Sequence, residues 1–472
     1  MEKDVQNKYV RMLVDVIVFG VGMVLAKIIQ FFLMPIYTSY MSAESYGQAE
    51  LVNNLSDLFF PIVTLCVYKA SFRYAVNSQF TQGEVIKSSL RILFSSSLIG
   101  LMIVFFIDAI WKYEYAWYLY IILYTYSLKM LLSYYVRGKG YSKVFAISGI
   151  VNALALVAFT AYFVIYANRG ETGYLLSICL GYIVTVVYLF VAGKIYKDVR
   201  NTKVNISCEK SQVSFGLPLI FYNIGYWFTT MSGRYVLLLF TDSKQVGLYV
   251  AAIKISAVIN MMQQAIQLAF ELNASKEYAN SDKEKYYSKL CNIFSSIFFI
   301  VGAIVIAVSS ILSAITLKKE FIYAQVYLPI ILLASIVQCL SALYGTMYIV
   351  YKRTKESVPN SVLGTIINLG FSILLTPKIG IWGVCIASLL CYLSQLIYKL
   401  HDIKKFCALR IQYKAIIISF LLLLVEMFCM TLEKKYCTLV ICSVVIVINI
   451  MSNYTDLKNI FKRMLIRLSA EK

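Results

Sequence analysis

The chain of 472 residues is 60% hydrophobic and only 14% charged, with a mean hydropathy of +0.73. Soluble domains contain roughly 45–50% apolar and about 25% charged residues, so this composition indicates a polytopic membrane protein in contact with membrane lipids. The net charge of +20 does not point to a nucleic-acid partner, because Lys and Arg recur in short loops rather than in one soluble patch. We therefore expect no nucleic-acid partner.

Apolar runs of about 20 residues, each bounded by polar turns, predict an all-α membrane protein with about fourteen transmembrane helices. The approximate helix cores are 12–40, 46–70, 88–108, 115–136, 145–167, 173–193, 212–240, 246–272, 289–316, 321–350, 358–376, 381–398, 412–432 and 436–454. Lys and Arg concentrate in alternate loops, starting with the N-terminal segment, so both termini are predicted to be cytoplasmic. The loops on the other side are short, which leaves no room for an extracellular domain.

An internal repeat accompanies this pattern. Segment 46–47 (YG) corresponds to 246–247 (VG), and segment 94–96 (FSS) to 294–296 (FSS), an offset of about 200 residues. With equal helix numbers in each half, the repeat predicts two six-helix lobes of the same orientation. The predicted domains are an N-terminal lobe with the first six helices (1–200), a C-terminal lobe with the next six (201–405), and a segment holding the last two helices and a cytoplasmic tail (406–472).

Ionisable residues within membrane spans are functional candidates by default. The deep bases are Lys27, Lys129, Arg234 and Lys254. Arg234 and Lys254 flank one tight turn and lie about 13–17 Å from the membrane surface at about 1.5 Å rise per residue. Two like charges at the same depth favour a water-accessible environment with an anionic partner. This indicates a role in substrate binding. The alternative, that each snorkels or contacts backbone carbonyls, stays open.

The other charged candidates have two interpretations each. Lys27 and Asp57 fall at one depth on the first two helices, where they could form a structural ion pair or take part in coupling. Lys129 stands alone in the fourth helix, so local packing and cargo contact are both open. Arg73 closes the second helix at the cytoplasmic surface, which suits topology and also the capture of a phosphate-bearing headgroup. The second deep acid is Glu426, in the thirteenth helix.

Prolines mark expected irregularities in the helices. Pro35 and Pro61 lie within the first and second helices, and Pro218 is expected to open the seventh. Bending is the simplest interpretation, and a functional hinge is the alternative.

Polar side chains recur at helical spacing beside the bases. Asn223, Trp227, Thr230 and Arg234 share one face of the seventh helix. Amides beside aromatic rings suit sugars, although hydrogen bonding between helices explains them nearly as well. The sequence contains no Gly-rich phosphate loop, Ser/His/Asp set or metal-ligand cluster, so we expect neither an enzyme nor a cofactor or metal site. Coupling to an ion gradient or to the membrane potential is left open.

Four segments resemble Wzx-type polysaccharide flippases, the polysaccharide transporter branch of the multidrug/oligosaccharidyl-lipid/polysaccharide superfamily. They are LAKIIQFFLMPIYTSYMSAESYGQAELV (25–52), KASFRYA (69–75), FGLPLI (215–220) and SGRYVLLLFTDSKQVGLYVAAIK (232–254). The resemblance implies a V-shaped, two-lobed fold with a cationic central cavity. It also implies alternating-access transfer of undecaprenyl-pyrophosphate-linked oligosaccharide, for O-antigen, lipopolysaccharide or capsule, across the bacterial cytoplasmic membrane. A monomer that works with other polysaccharide assembly proteins is expected.

Within this resemblance, Arg234 occupies the family's RY position. The pyrophosphate would then bind Arg234 and Lys254, together with Lys27. A drug/cation antiporter of the same superfamily would carry a coupling acid in its first helix, where this chain has Lys27 and only Asp15 near the cytoplasmic end. That antiporter and a lipid II flippase are the alternatives. A membrane polysaccharide polymerase would need large extracellular loops.

Overall fold

The computed structural model describes residues 29, 31–76, 79–112, 114–200, 202–277, 283–351 and 353–453, and these residues contain helices and connections but no β-strand. The α-helices are α1 (Met34–Tyr40), α2 (Ala43–Val63), α3 (Val67–Val76), α4 (Gln82–Trp111), α5 (Ala116–Gly138), α6 (Ser142–Thr160), α7 (Gly170–Ala192), α8 (Ile195–Arg200), α9 (Ile206–Phe240), α10 (Ser243–Glu277), α11 (Lys283–Ala307), α12 (Ser309–Thr316), α13 (Leu328–Val350), α14 (Val358–Ile379), α15 (Ile381–Asp402), α16 (Tyr413–Thr431) and α17 (Lys435–Ser452). A π-helical turn (Ala161–Tyr166) continues α6, and 3-10 turns occupy Lys319–Tyr327, Thr354–Ser357 and Ile403–Lys405.

The all-α polytopic fold predicted from hydropathy is confirmed. Among the described residues, 9 helical segments are long and apolar enough to cross a membrane, and the bent pair α2–α3 makes up to 10. Every predicted core from 46–70 onward coincides with one described helix or with consecutive helical segments. The first predicted core, 12–40, is described only at residue 29 and from residue 31 onward, and Lys27 lies outside the described residues.

The second predicted span is broken rather than straight. Helices α2 and α3 meet at an angle of 55°. Leu65 and Cys66, in the connection, adopt positive φ values of 46° and 52°, a conformation that residues other than glycine rarely adopt. Pro61 precedes the break and cannot donate the helical hydrogen bond to the carbonyl of Asp57. The bend expected from Pro61 is therefore present.

Pro218 does not open a helix. It lies inside α9, which begins at Ile206. Proline removes one backbone donor, here to the carbonyl of Ser214, and a helix packed within a membrane protein can continue on both sides of that gap.

The chain divides into two compact units, Met1–Met231 and Ser232–Lys472, so that the division falls within α9. In the first unit, buried side chains of α3, α4, α5 and α7 form a common core that includes Val67, Val85, Tyr135 and Leu189. The predicted boundary between the lobes, near residue 200, rests on the repeat of helices along the sequence, whereas the two units are defined by packing. The two six-helix lobes therefore stay a prediction.

In the second unit, the span Lys319–Tyr348, which includes α13, is the most enclosed of the described membrane-span candidates. Of its most apolar stretch 78% is buried, compared with 28% for Tyr413–Thr431. Helices α14 and α15 form a tight hairpin, in which a Cβ on Gly383 would lie 2.5 Å from the backbone nitrogen of Thr376. Helices α16 and α17 are joined by a hydrogen bond of 2.8 Å from Asn449 Nδ2 to Ser419 Oγ.

Candidate functional site

The break between α2 and α3 places a lysine beside an amide of α9. Lys69 Nζ donates to Asn223 Oδ1 at 3.5 Å and lies 5.7 Å from the ring centroids of both Tyr68 and Tyr222. Asn223 Nδ2 in turn contacts Cys66 Sγ at 3.5 Å and donates to the carbonyl of Leu219 at 2.6 Å. The half-buried Lys69 amine is thus held where the helix changes direction.

Two bases of the bent pair lie next to aromatic rings of α9, and one carboxylate lies within electrostatic range of a third ring. The Arg73 guanidinium lies 4.6 Å from the ring centroid of Phe215, Lys69 lies beside Tyr222, and Asp57 is within electrostatic range of Tyr226. We call this set the basic–aromatic face, and its members are Asp57, Lys69, Arg73, Phe215, Tyr222 and Tyr226. Tyr222 and Tyr226 are 60% and 59% exposed. The first unit therefore presents bases and open aromatic rings on one surface of its helices.

Close packing of α9 against the bent pair aligns this face. A Cβ on Gly216 would overlap with the carbonyl oxygen of Leu65, so glycine is required for the approach. Further along, the indole nitrogen of Trp227 donates to the carbonyl of Asn54 at 3.0 Å. These contacts fix which residues of α9 face Asp57 and Lys69.

Asp57 also faces α5 and α7. It is within electrostatic range of Lys129, Tyr126 and Tyr182. The Lys129 amine lies 4.6 Å from the ring centroid of Tyr182 and 5.5 Å from that of Tyr126. The sequence indicated that Lys129 stands alone in its helix, but in the structure it has these neighbours. A cation between two tyrosine faces near a carboxylate is electrostatically favoured.

A second carboxylate of α2, Glu50, is fully enclosed. It is 1% exposed and accepts hydrogen bonds from the hydroxyls of Tyr46 and Tyr174 and from the amide of Asn54. Such donors compensate for the loss of water around a buried carboxylate. Glu50 thereby connects α2 to α7 in the interior of the first unit.

The two bases that flank the turn after α9 differ in burial. Arg234 is 5% exposed and within electrostatic range of Tyr249 on α10. A Cβ on the adjacent Gly233 would lie 3.6 Å from the Tyr249 hydroxyl and 3.7 Å from the Cβ of Val384, so α10 and α15 both pack on α9 beside Arg234. Lys254 lies on α10, five residues beyond Tyr249, and is half-buried.

The structure thus groups the predicted residues in part. Asp57 and Lys129 come together in the first unit, and Arg73 lies near the end of α3 beside Phe215. Arg234 and Lys254 belong to the second unit, and Lys27, the partner predicted for Asp57, lies outside the described residues. Sequence reasoning missed Lys69, Tyr222 and Tyr226. Tyr222 and Tyr226 are spaced by four residues next to the polar stripe of α9, which is the signal that could have found them.

Known proteins resemble this chain in sequence. Residues 12–269, more than half of the chain, match a family model described as polysaccharide biosynthesis protein. The probable low-salt glycan biosynthesis flippase Agl15 of Haloferax volcanii is 20% identical over 242 residues, which are 49% of this chain and 51% of that protein. The chain thus spans about half the length of the curated relative it matches.

Solved structures with the same fold are transporters and flippases. The lipid II flippase MurJ, in an inward closed conformation, matches with a TM-score of 0.68 at 14% identity, over 93% of this chain and 99% of its own. An inward-facing multidrug resistance MATE family transporter of the MOP superfamily matches with a TM-score of 0.64 at 14% identity, over 83% and 98%. A MOP superfamily transporter from Pyrococcus furiosus, described as having a binding pocket of reverse polarity, gives 0.55 at 14% identity, over 83% and 95%. The family match confirms the predicted resemblance, and the solved structures share the fold.

Proposed function

Because this chain belongs to the polysaccharide biosynthesis protein family, we propose that it is a flippase for undecaprenyl-pyrophosphate-linked oligosaccharide repeat units. The fold is that of MOP superfamily transporters, and the Haloferax volcanii relative is itself named as a glycan biosynthesis flippase. A sugar chain on a lipid-linked pyrophosphate is the cargo whose chemistry suits the residues described above.

The observation that carries this proposal is the basic–aromatic face. A pyrophosphate is anionic, and this face contains two bases, Lys69 and Arg73, and one carboxylate, Asp57. A third base, Lys129 on α5, lies within electrostatic range of the same carboxylate. Sugar rings have apolar C–H faces and polar edges, so exposed tyrosines can cover the former and hydrogen-bond the latter. Charged side chains on membrane-spanning helices are costly toward lipid, so Lys69 and Arg73 favour a water-accessible, substrate-facing surface.

In this proposal the cargo moves from the inner to the outer leaflet by alternating access, while its prenyl chain stays in lipid. Arg73, exposed at the end of α3, captures the phosphate-bearing headgroup. Arg234 and Lys254, with Lys27, bind the pyrophosphate in a conformation that opens the second unit. We also propose that the protein lies in a bacterial cytoplasmic membrane with both termini inside, as a monomer that supplies O-antigen or capsule assembly.

The test is transport by purified protein in proteoliposomes that contain undecaprenyl-pyrophosphate linked to a fluorescent oligosaccharide. Lys69→Ala should lower the transfer rate about tenfold or more, because a hydrogen bond to a charged group contributes about 1.5–3 kcal/mol. Lys69→Arg should retain most of the rate. Lys197→Ala, which removes an exposed lysine of α8, is the matched control and should behave as wild type.

The alternatives give different results in the same vesicles. A lipid II flippase would transfer lipid II and not the oligosaccharide-linked lipid, and a drug/cation antiporter would move a cationic drug against a pH or sodium gradient. Transfer of either of these, without transfer of the oligosaccharide-linked lipid, would overturn the proposed function.

A further inference from the structure

Helix α16 carries one acidic residue, Glu426, in the interior of the second unit. The side chain is 0% exposed, and neither carboxyl oxygen has a hydrogen-bond partner among the described residues. Leu423, Met427 and Met430, on the same side of the helix, are also buried. Glu426 is not part of the basic–aromatic face, which lies on helices of the first unit.

The register of α16 against α17 identifies what faces this carboxyl. The hydrogen bond from Asn449 to Ser419 joins the two helices two turns away from Glu426. In this antiparallel register Cys442 lies opposite Glu426, and the two groups are within electrostatic range. The thiol of Cys442 is 7% exposed and uncharged, so it supplies no counter-charge.

The other helices packed on α16 bring no charge to this level. Helix α13 contains no Asp, Glu, Lys, Arg or His, and its titratable groups are Cys339, Tyr344 and Tyr348. In α11, the charged residues all lie in its first seven residues, before Cys291. In α16, Lys414 lies in the first turn, and in α17 Lys435 lies in the first turn, about two turns along the helix from Cys442.

We propose that Glu426 is a proton-binding site in the seam between α16 and α17, where the carboxyl is held as the neutral acid. A carboxylate enclosed without a cation or hydrogen-bond donors is far less stable than in water, and in practice such a group takes up a proton. The ionised form is stable only if water or a cation reaches the seam. Proton binding at Glu426 and the packing of α16 on α17 are therefore linked.

Infrared spectroscopy of the full-length protein in lipid vesicles tests the protonation state directly. At pH 7.5, the difference spectrum of wild type minus Glu426→Gln should show the carbonyl stretch of a protonated carboxylic acid, because glutamine has the shape of the neutral acid and should preserve the seam. If the glutamine variant folds poorly, the spectrum of Glu426→Met is subtracted from that of the wild type instead. Carboxylate bands in place of the acid band would overturn the proposal.

Carbodiimide labelling provides a second readout. A surface glutamate has a pKa of about 4.3, so at pH 7.5 about one in a thousand carries a proton. Dicyclohexylcarbodiimide enters the lipid phase, and a protonated carboxyl there adds across its C=N bond to give an acylurea, so this reagent should modify Glu426 more than tenfold over the exposed Glu433 of the same protein. Equal modification of the two residues would count against the site. Neither measurement depends on oligosaccharide transport, so the proposed function and this site can fail separately.

Discussion

The contact between α9 and the break of the second span can be tested with a pair of glycines. A Cβ on Gly216 would overlap with the carbonyl oxygen of Leu65 and lie 3.3 Å from the carbonyl carbon of Cys66. Gly225, nine residues further along the same helix, has nothing within 4 Å of the corresponding position. Gly216→Ala and Gly225→Ala therefore make the same chemical change with and without a steric clash.

The two substitutions share one favourable term. Alanine in place of glycine stabilises a helix interior by about 0.8–1 kcal/mol. At Gly216 this gain is opposed by overpacking, which costs about 1–3 kcal/mol, because the clashing atom belongs to the backbone and cannot rotate away. Leu65 and Cys66 already have positive φ values, so the break has little freedom to move. We expect Gly225→Ala to be neutral or stabilising and Gly216→Ala to be less stable than it by about 1–3 kcal/mol.

Unfolding of the purified variants in one detergent, followed by tryptophan fluorescence, measures this difference. Since the approach of α9 also places Tyr222 and Asn223 beside Lys69, Gly216→Ala should slow oligosaccharide transfer, whereas Gly225→Ala should not. Equal stability of the two variants would refute the close contact between α9 and Leu65. Unequal stability with equal transfer rates would refute the role given to the alignment of the face.

Three further predictions follow from the charged residues. Asp57→Asn should slow transfer, and adding Lys129→Gln should restore part of the rate. A double-mutant cycle should give a coupling energy of about 0.5–3 kcal/mol, and additive effects would mean that the two groups do not interact. Arg234→Lys should lower both stability and transfer, because lysine cannot reproduce the planar donor set of a buried guanidinium; unchanged melting and rate would contradict its enclosed position. Asp198→Asn should destabilise the protein by about 1–3 kcal/mol in detergent unfolding, since its ion pair with Lys139 is largely buried, and transfer per folded molecule should stay at the wild-type level.

Hydropathy predicts the membrane fold well because the lipid interior requires helices of nearly fixed length. The predicted core 358–376 corresponds to α14 (Val358–Ile379), and 173–193 to α7 (Gly170–Ala192). The break at Leu65 and Cys66 lies inside a continuous apolar run, so hydropathy alone could not place it. Pro61 indicated that a bend would occur, but the angle depends on packing against α9.

The charged residues show where the sequence is insufficient. Lys69 looks like an ordinary cytoplasmic-side base, and only the bend turns it toward Asn223. Depth along a straight helix paired Asp57 with Lys27, whereas Lys129 is its neighbour among the described residues. Depth gives the level of a residue in the membrane, and the rotation of each helix decides which residues at that level meet.

Burial changes what is expected of the second pair of bases. Depth and charge suggested that Arg234 and Lys254 bind the pyrophosphate. Arg234, however, is only 5% exposed, and α10 and α15 pack on α9 beside it. An anion can reach that guanidinium only if these helices separate, whereas Arg73 and the rings of Tyr222 and Tyr226 are exposed without any rearrangement. If the proposed function is correct, the first contact with the cargo therefore involves the basic–aromatic face. A variant of Lys69 or Arg73 should then weaken binding of the lipid-linked oligosaccharide to the resting protein, and a variant of Arg234 should slow transfer while leaving that initial binding intact.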